Sequence, residues 1–128
     1  MNQPLRIRVR PETLAVVRLP PESPLPPWAT QGELWSIVRS ADELSIVCGD
    51  GQVPEASAPV ERPWRALQLE GPIPFGLTGI LASILTPLAA AAIPIFAFST
   101  YDTDYVMVKA LDLPASLAAL AQAGHVLL

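Results

Sequence analysis

The sequence predicts an α+β fold in which two amphipathic helices cover one face of a β-sheet. Two observations lead to this prediction. Hydrophobic residues make up 51 % of the 128 residues and charged residues only 16 %, and the apolar positions follow a two-residue period in some segments and a helical period in others. The length suits one domain, or two very small domains that share a core. The low charged fraction indicates that much of the surface is apolar or covered by a partner.

The composition excludes several classes of function. A net charge of −4, from 8 Lys+Arg against 12 Asp+Glu, argues against nucleic-acid binding, which needs a basic surface. A single cysteine, Cys48, excludes an internal disulfide framework and a cysteine-rich zinc site. Cys48 and His125 could form a nucleophile pair, but nothing in the sequence brings them together, so they are interpreted as a buried thiol and a turn histidine. We therefore expect no cofactor, no metal site, no catalytic residue and no enzyme activity.

The sequence carries no clear membrane or export signal. The N-terminus lacks the apolar segment of a secretory signal. The uncharged run at 71–101 is long enough to span a bilayer, but four prolines interrupt it and its last part has the β-branched and aromatic residues of a buried strand. We expect a cytoplasmic protein that binds neither membranes nor nucleic acid.

The first half of the chain reads as short strands and loops. Arginine and apolar residues alternate at 6–10, which favours an edge strand over a basic arm, and further strands are predicted at 13–19, 34–39 and 43–48. The proline-rich segment 20–27 is a stiff connector, or alternatively a ligand for a proline-reading domain. A loop is predicted at 49–59.

The second half has a regular order of elements. A strand at 64–70 precedes a helix at 78–91, whose apolar stripe contains Leu81, Ile84, Leu85 and Leu88. Thr78 is the predicted N-cap, and Pro87 is expected to kink the helix. Strands at 93–99 and 103–109, a helix that begins after Asp112 and ends at Gly124, and a strand at 125–128 follow.

This order, β-α-β-β-α-β, is that of the ferredoxin-like split βαβ arrangement, here with a four-stranded antiparallel sheet. We predict two tandem ferredoxin-like units: a degenerate one at 1–63 and a complete one at 64–128.

Several segments resemble the ACT-domain family. They are Gly71-Pro, Leu77-Thr-Gly-Ile-Leu-Ala82, Ile95-Phe-Ala-Phe-Ser-Thr-Tyr-Asp-Thr-Asp-Tyr105 and Val106-Met-Val-Lys109. The chain is similar to small bacterial proteins with two tandem ACT-like units, to the ACT units of aspartate kinase and to the cytosolic arginine sensor of animals. The resemblance covers most of residues 34–125. It departs from the family at Ala92, where a helix-ending glycine is usual, so the chain must turn there without an easy left-handed residue.

The resemblance implies regulatory binding of a small molecule, usually an amino acid, and no catalysis. In such units the ligand lies between the helix start of one unit and the second and third strands of a neighbour. This places Thr78, Gly79 and Ile80 at the carboxylate end of the ligand. The opposite wall would be formed by Thr100, Tyr101, Thr103 and Asp104, with Asp104 facing an ammonium or guanidinium group.

Elementary physics is consistent with that site, but leaves alternatives open. A helix N-terminus offers unpaired N–H groups to a carboxylate, and Asp104 can form a charge-assisted hydrogen bond with a cation. An ordinary helix start and a solvated polar turn would explain the same residues. The apolar composition predicts a homodimer. The alternative function is an ACT-fold interaction or dimerisation module without a ligand.

Overall fold

The computed structural model describes residues 4–54 and 58–128, so the N-terminus and the predicted loop at 49–59 are described only in part. The observed elements confirm the predicted α+β class and the β-α-β-β-α-β order of the second half. The strands and helices are β1 Arg6–Leu19, β2 Ser36–Arg39, β3 Leu44–Gly49, β4 Val60–Leu69, α1 Ile80–Ala90, β5 Ile95–Ser99, β6 Asp104–Lys109, α2 Leu113–Gln122 and β7 Val126–Leu127.

The described residues form two compact units. Residues 4–11 and 65–128 form one, which we call the helical unit, and residues 12–54 and 58–64 form the other, which we call the β unit. Strands β1 and β4 contribute residues to both. The domain boundaries predicted at 63 and 64 stay a prediction.

The sheet of the helical unit has five strands rather than the predicted four, in the order β7-β1-β4-β6-β5. The first residues of β1 lie between β7 and β4, and they pair with β7 in parallel, Arg6 opposite Val126 and Ile7 opposite Leu127. The two predicted strands at 6–10 and 13–19 form one continuous strand that contains Pro11. Local periodicity detects strands, but this pairing joins residues more than a hundred positions apart.

The arginines at the start of β1 act within the helical unit. Arg6 forms an ion pair with Glu70 at 2.7 Å, and the Arg8 guanidinium lies 3.6 Å from the same carboxylate. Arg10 donates a hydrogen bond to the Gln68 side chain at 3.4 Å. The segment is therefore a strand whose arginines are held by β4 and by the residue that follows it, but it lies between β7 and β4 and is not the edge strand that the sequence predicted.

The core of the helical unit lies between its sheet and its helices. The predicted stripe of α1 is confirmed, since Ile84 and Leu88 are fully buried and Leu81 and Leu85 pack against them. The buried core residues are Ile7, Leu67, Leu69, Ile84, Leu88, Ile93, Val106, Val108 and Leu120.

The prediction that Thr78 caps α1 is wrong. Gly79 occupies the N-cap position in the left-handed conformation, at φ 74°, and no side chain caps the helix. Glycine reaches this conformation without steric cost, so the chain turns into the helix one residue later than a threonine cap would allow. Asp112 does occupy the N-cap position of α2, but its side chain also forms no capping hydrogen bond.

The chain leaves α1 through a non-glycine residue in the left-handed conformation. Ala92 has φ 59°, and its N–H donates to the carbonyl of Ala89 at 2.9 Å. The next N–H, of Ile93, reaches back to Leu88 at 3.0 Å. These bonds satisfy the carbonyls at the helix end, at the steric cost that the Ala92 side chain adds.

Pro87 lies inside α1, and His125 compensates for it. A proline has no N–H, so the carbonyl of Ser83, four residues earlier, loses its helical partner. His125 Nε2 lies 2.9 Å from that oxygen, and Nδ1 accepts the N–H of Leu5 at 3.1 Å. These partners assign the proton to Nε2. His125 is 8 % exposed, so it is a buried connector rather than the turn histidine that the sequence indicated.

The β unit has a small separate core. Strand β3 pairs antiparallel with β1 and β2, and the buried residues are Ala15, Val17, Ala29, Leu44, Ile46, Cys48 and Val53. Burial, with a smaller contribution from the charge of Asp50, raises the pKa of the Cys48 thiol to about 11. The thiol is therefore protonated near neutral pH and a poor nucleophile.

The proline-rich connector is held to β2. The Arg39 guanidinium donates to the carbonyls of Pro21 and Ser23, the latter at 2.7 Å. Of the three tryptophans, Trp64 is buried and Trp28 packs against the core, whereas Trp35 is 43 % exposed. In the described part of the chain, every helix is too short or too polar to cross a membrane.

Candidate functional site

An open cleft of about 300 Å³ lies in the helical unit, where the start of α1 faces the β5–β6 turn. Six of the seven site residues predicted from the sequence line it, and Thr78 does not, although it is exposed beside Gly79. The lining residues are Ile73, Pro74, Phe75, Leu77, Gly79, Ile80, Leu81, Ser99, Thr100, Tyr101, Asp102, Thr103 and Asp104. The resemblance implied that the second wall belongs to a neighbouring unit, whereas here both walls come from the same unit.

The first wall is the loop between β4 and α1, at 70–79. Ile73 donates its N–H to the carbonyl of Asp102 at 2.7 Å, which fixes the loop to the β5–β6 turn. Gly71 makes this approach possible, because a Cβ there would lie 2.8 Å from the same carbonyl oxygen. The base of the cleft is therefore closed by a direct contact between its two walls.

The second wall is the turn itself, and its serine and threonine hydroxyls are already engaged. Thr103 donates its hydroxyl to the carbonyl of Leu69, and Thr100 donates its N–H to the carbonyl of Thr103 at 2.8 Å. The Thr100 hydroxyl lies 3.3 Å from that carbonyl, and Ser99 donates to Oδ1 of Asp104. The hydroxyls therefore shape the turn and orient Asp104, and the carboxylates are the charged groups that this wall presents.

The start of α1 supplies the opposite polarity. The N–H groups of its first turn have no intrahelical partner, and no side chain of the described residues caps them. The first helical bond after the cap runs from the N–H of Ser83 to the carbonyl of Gly79, at 3.0 Å. The helix dipole adds partial positive charge at this end. Among the described residues, no lysine, arginine or histidine lines the cleft, so the helix end is its positive side.

Two exposed aromatic rings form the outer edge of the cleft. The Phe75 and Tyr101 rings meet edge to face, with centroids 4.9 Å apart and planes at 86°. They are 73 % and 81 % exposed, and Leu77 beside them is 54 % exposed. By contrast, Tyr105 is half-buried and stacks on Phe98, with ring centroids 4.9 Å apart.

The sequence reasoning missed the loop residues. Ile73, Phe75 and Leu77 lie in a segment that glycine and proline mark as irregular, so no period assigns them to a face. The signal available in the sequence was their apolar character, since large side chains such as Phe75 and Leu77 in an irregular loop need a reason other than core packing. Leu81 was assigned to the helix stripe alone, although it also lines the cleft.

A second, larger cleft of about 430 Å³ runs between α1 and the end of α2. Its lining includes Thr86, Pro87 and His125, and the described residues that line it include no Asp, Glu, Lys or Arg. It lacks opposed charged groups, and the His125 ring nitrogens are already bonded to the backbone. Within the described residues, no group of three or more His, Cys, Asp or Glu side chains could hold a metal ion.

Comparison with known proteins identifies the family. The model of the ACT domain matches residues 60–122, and a model of an N-terminal domain family matches residues 12–56. A solved structure of an Agrobacterium tumefaciens protein is 36 % identical with a TM-score of 0.92, and the match covers 99 % of this chain and 94 % of that one.

Two further matches are more distant or shorter. The regulatory subunit of aspartate kinase from Thermus flavus shares the fold at 11 % identity, with a TM-score of 0.65 over 91 % of this chain and 95 % of that subunit. The human protein CASTOR3P is 46 % identical over 41 residues, which are 32 % of this chain and only a quarter of the human protein. With the family model and the fold in agreement, this chain belongs to the ACT-domain family.

Proposed function

We propose that this protein is a non-catalytic regulator or sensor that binds a small molecule, an amino acid, in the cleft between α1 and the β5–β6 turn. One observation carries the proposal: an uncapped helix start and the Asp104 carboxylate line the same cleft of about 300 Å³. Membership of the ACT-domain family supports the regulatory role. The fold shared with a regulatory subunit of aspartate kinase supports it further.

The two ends of an α-amino acid match the two walls. The ligand carboxylate would accept hydrogen bonds from the N–H groups of Ile80 and Leu81, where the helix dipole favours an anion. The ammonium group would bind Asp104, which Ser99 holds in place. Each hydrogen bond to a charged group contributes about 1.5–3 kcal/mol, enough for two of them to give a measurable affinity.

Binding would join the two walls of the cleft. The loop at 70–79 is fixed to the turn at its base by the contact between Ile73 and Asp102, while its outer edge is exposed. A ligand that contacts both walls would hold the outer part of this loop against the turn. A regulated partner could then bind the ligand-bound and ligand-free forms with different affinity. We also propose that the protein acts as a cytoplasmic homodimer, consistent with the exposed apolar side chains of this edge.

Calorimetric titration of the full chain with the twenty amino acids tests the proposal. At least one should bind with a Kd below 1 mM, and Asp104→Asn should weaken that ligand about tenfold or more, since it removes a charge-assisted bond. Asp42→Asn, an exposed acid outside the cleft, is the matched control and should change nothing. Absence of any ligand below 1 mM, or an unchanged affinity of Asp104→Asn, contradicts the assignment.

A second candidate function is an interaction or dimerisation module that keeps the ACT fold without a ligand. The exposed Phe75, Leu77 and Tyr101 side chains favour it, because such an edge could contact another protein. Clear dimerisation by analytical ultracentrifugation, together with no thermal shift for any amino acid, would support this candidate. Loss of the dimer in Tyr101→Ser would then locate the interface.

A further inference from the structure

We infer that the cleft selects amino acids with an uncharged, apolar side chain of about leucine or phenylalanine size, and that Phe75 and Tyr101 make the selection. The inference rests on the proposed function, and it names the ligand class that the proposal leaves open.

Most polar side chains of the lining are already bonded within the protein. The hydroxyls of Ser99 and Thr103 and the Thr100 hydroxyl are all within hydrogen-bond distance of groups in the protein itself. What remains for a ligand is the helix start and the carboxylates, and these fit the carboxylate and the ammonium group that every α-amino acid has. The helix start and Asp104 are therefore used by groups common to all amino acids, and only the exposed Asp102 carboxylate and the exposed Tyr101 hydroxyl remain for a polar side chain.

The rest of the lining is apolar. It consists of Ile73, Pro74, Phe75, Leu77, Leu81 and Tyr101 together with Ile80 at the helix start. An apolar ligand side chain would remove this surface from water and gain affinity in proportion to the area buried. An acidic side chain would instead meet two carboxylates, of Asp102 and Asp104, with no cation among the lining residues to balance them.

A basic ligand side chain gains less than an apolar one. The remaining carboxylate would be that of Asp102, which is exposed, and an exposed ion pair contributes little affinity. The backbone carbonyl of Asp102 is already bonded to Ile73. More than half of the lining residues, in contrast, are apolar or aromatic. A volume of about 300 Å³ is at the small end of ligand pockets, which suits one amino acid rather than a nucleotide.

The positions of the two aromatic rings make them the selecting residues. Phe75 belongs to the loop and Tyr101 to the turn, so their edge-to-face contact crosses from one wall to the other. With 73 % and 81 % of their surfaces exposed, they contribute little to the core. A ligand side chain placed against them would bury both rings at once.

The experiment compares five ligands by calorimetric titration of the full chain: L-leucine, L-phenylalanine, L-alanine, L-lysine and L-aspartate. Leucine or phenylalanine should bind about tenfold or more tightly than alanine, because the added carbons fill an apolar site. Phe75→Ala and Tyr101→Ala should each weaken that ligand about tenfold and leave alanine unchanged. Leu111→Ala removes an apolar side chain that is 92 % exposed outside the cleft and should have no effect.

Each outcome is decisive. If lysine, aspartate or alanine binds as tightly as leucine and phenylalanine, the apolar selection is wrong while the proposed function stands. If Phe75→Leu does not restore most of the affinity that Phe75→Ala loses, apolar contact at this position is not the cause. If leucine and phenylalanine do not bind below 1 mM while an amino acid with a polar or charged side chain does, the inference alone fails, and if no amino acid binds, the proposed function fails with it.

Discussion

The contact between His125 and the proline-interrupted helix gives a quantitative prediction. His125→Phe keeps a ring of similar shape but removes both hydrogen bonds, so the N–H of Leu5 and the carbonyl of Ser83 lose their partner. Both groups are only partly buried and can gain some hydration, which places each loss near the low end of the 1–3 kcal/mol range. The free energy of unfolding should therefore fall by about 2 kcal/mol.

A second substitution isolates the compensation. Pro87→Ala gives residue 87 an N–H that can donate to the Ser83 carbonyl in the ordinary helical way. In that background His125→Phe should cost about 1 kcal/mol less than in the original chain, because one of the two orphaned groups regains a partner.

Urea unfolding of the four proteins, followed by circular dichroism at 222 nm, measures this coupling. The signal reports the helical unit, since α1 and α2 both belong to it. Thr86→Ala, an exposed change next to the proline, is the control and should show no coupling to His125. A coupling energy below about 0.3–0.5 kcal/mol, within the scatter of independent sites, would refute the claim that His125 replaces the missing N–H.

Three further predictions follow from particular residues. Ala92→Gly should raise the free energy of unfolding by about 0.5–1 kcal/mol, because the left-handed φ of 59° costs alanine more than glycine loses through its flexible unfolded chain. Ala91→Gly, at φ −88°, should lower the free energy of unfolding, and equal effects of the two substitutions would contradict the backbone assignment. Gly71→Ala should destabilise the protein by about 1–3 kcal/mol in thermal unfolding, since the new Cβ would lie 2.8 Å from the Asp102 carbonyl oxygen. A Cβ at Gly76 would meet nothing within 4 Å, so Gly76→Ala should leave the stability nearly unchanged. The pKa of Cys48 is raised from 9.0 to about 11, so the folded state binds the thiol proton more tightly than the unfolded state, and the free energy of unfolding should decline as pH rises from 9 to 11. The decline should be smaller in Cys48→Ala, and an identical pH profile in the two proteins would show that the thiol is not responsible.

The sequence predicted the elements of the helical unit well because their signals are local. The stripe of α1 at Ile84 and Leu88 and the short apolar run of β6 are visible in a window of a few residues. Pairings between distant residues leave no such signal. The position of β1 beside β7, and the link from His125 to α1, both depend on contacts that span most of the chain.

The candidate site was predictable in proportion to how contiguous it is. The β5–β6 turn is one short segment with two acids and four hydroxyl-bearing residues, so its wall could be named from the sequence. At the helix start, Gly79 and Ile80 line the cleft, but Thr78 does not, because the left-handed glycine moves the cap by one residue. The loop residues Ile73 and Phe75 could not be named, since an irregular segment has no periodicity to orient its side chains.

The uncharged run at 71–101 is the feature that most needs a physical reason. Core packing explains its buried positions, such as Ile84, Leu88 and Ile93, but not its exposed ones. A loop that served only as a connector would be free to carry charged residues where it meets water. The large exposed side chains of this run, Phe75, Leu77 and Tyr101, instead gather at one edge of the cleft. A charge introduced there would have to lose hydration when an apolar ligand side chain packs against it, and it would leave the core intact. Leu77→Lys should therefore reduce leucine or phenylalanine binding, while the free energy of unfolding stays within about 0.5 kcal/mol of that of the original protein. Loss of stability without loss of binding would assign the uncharged edge to folding instead.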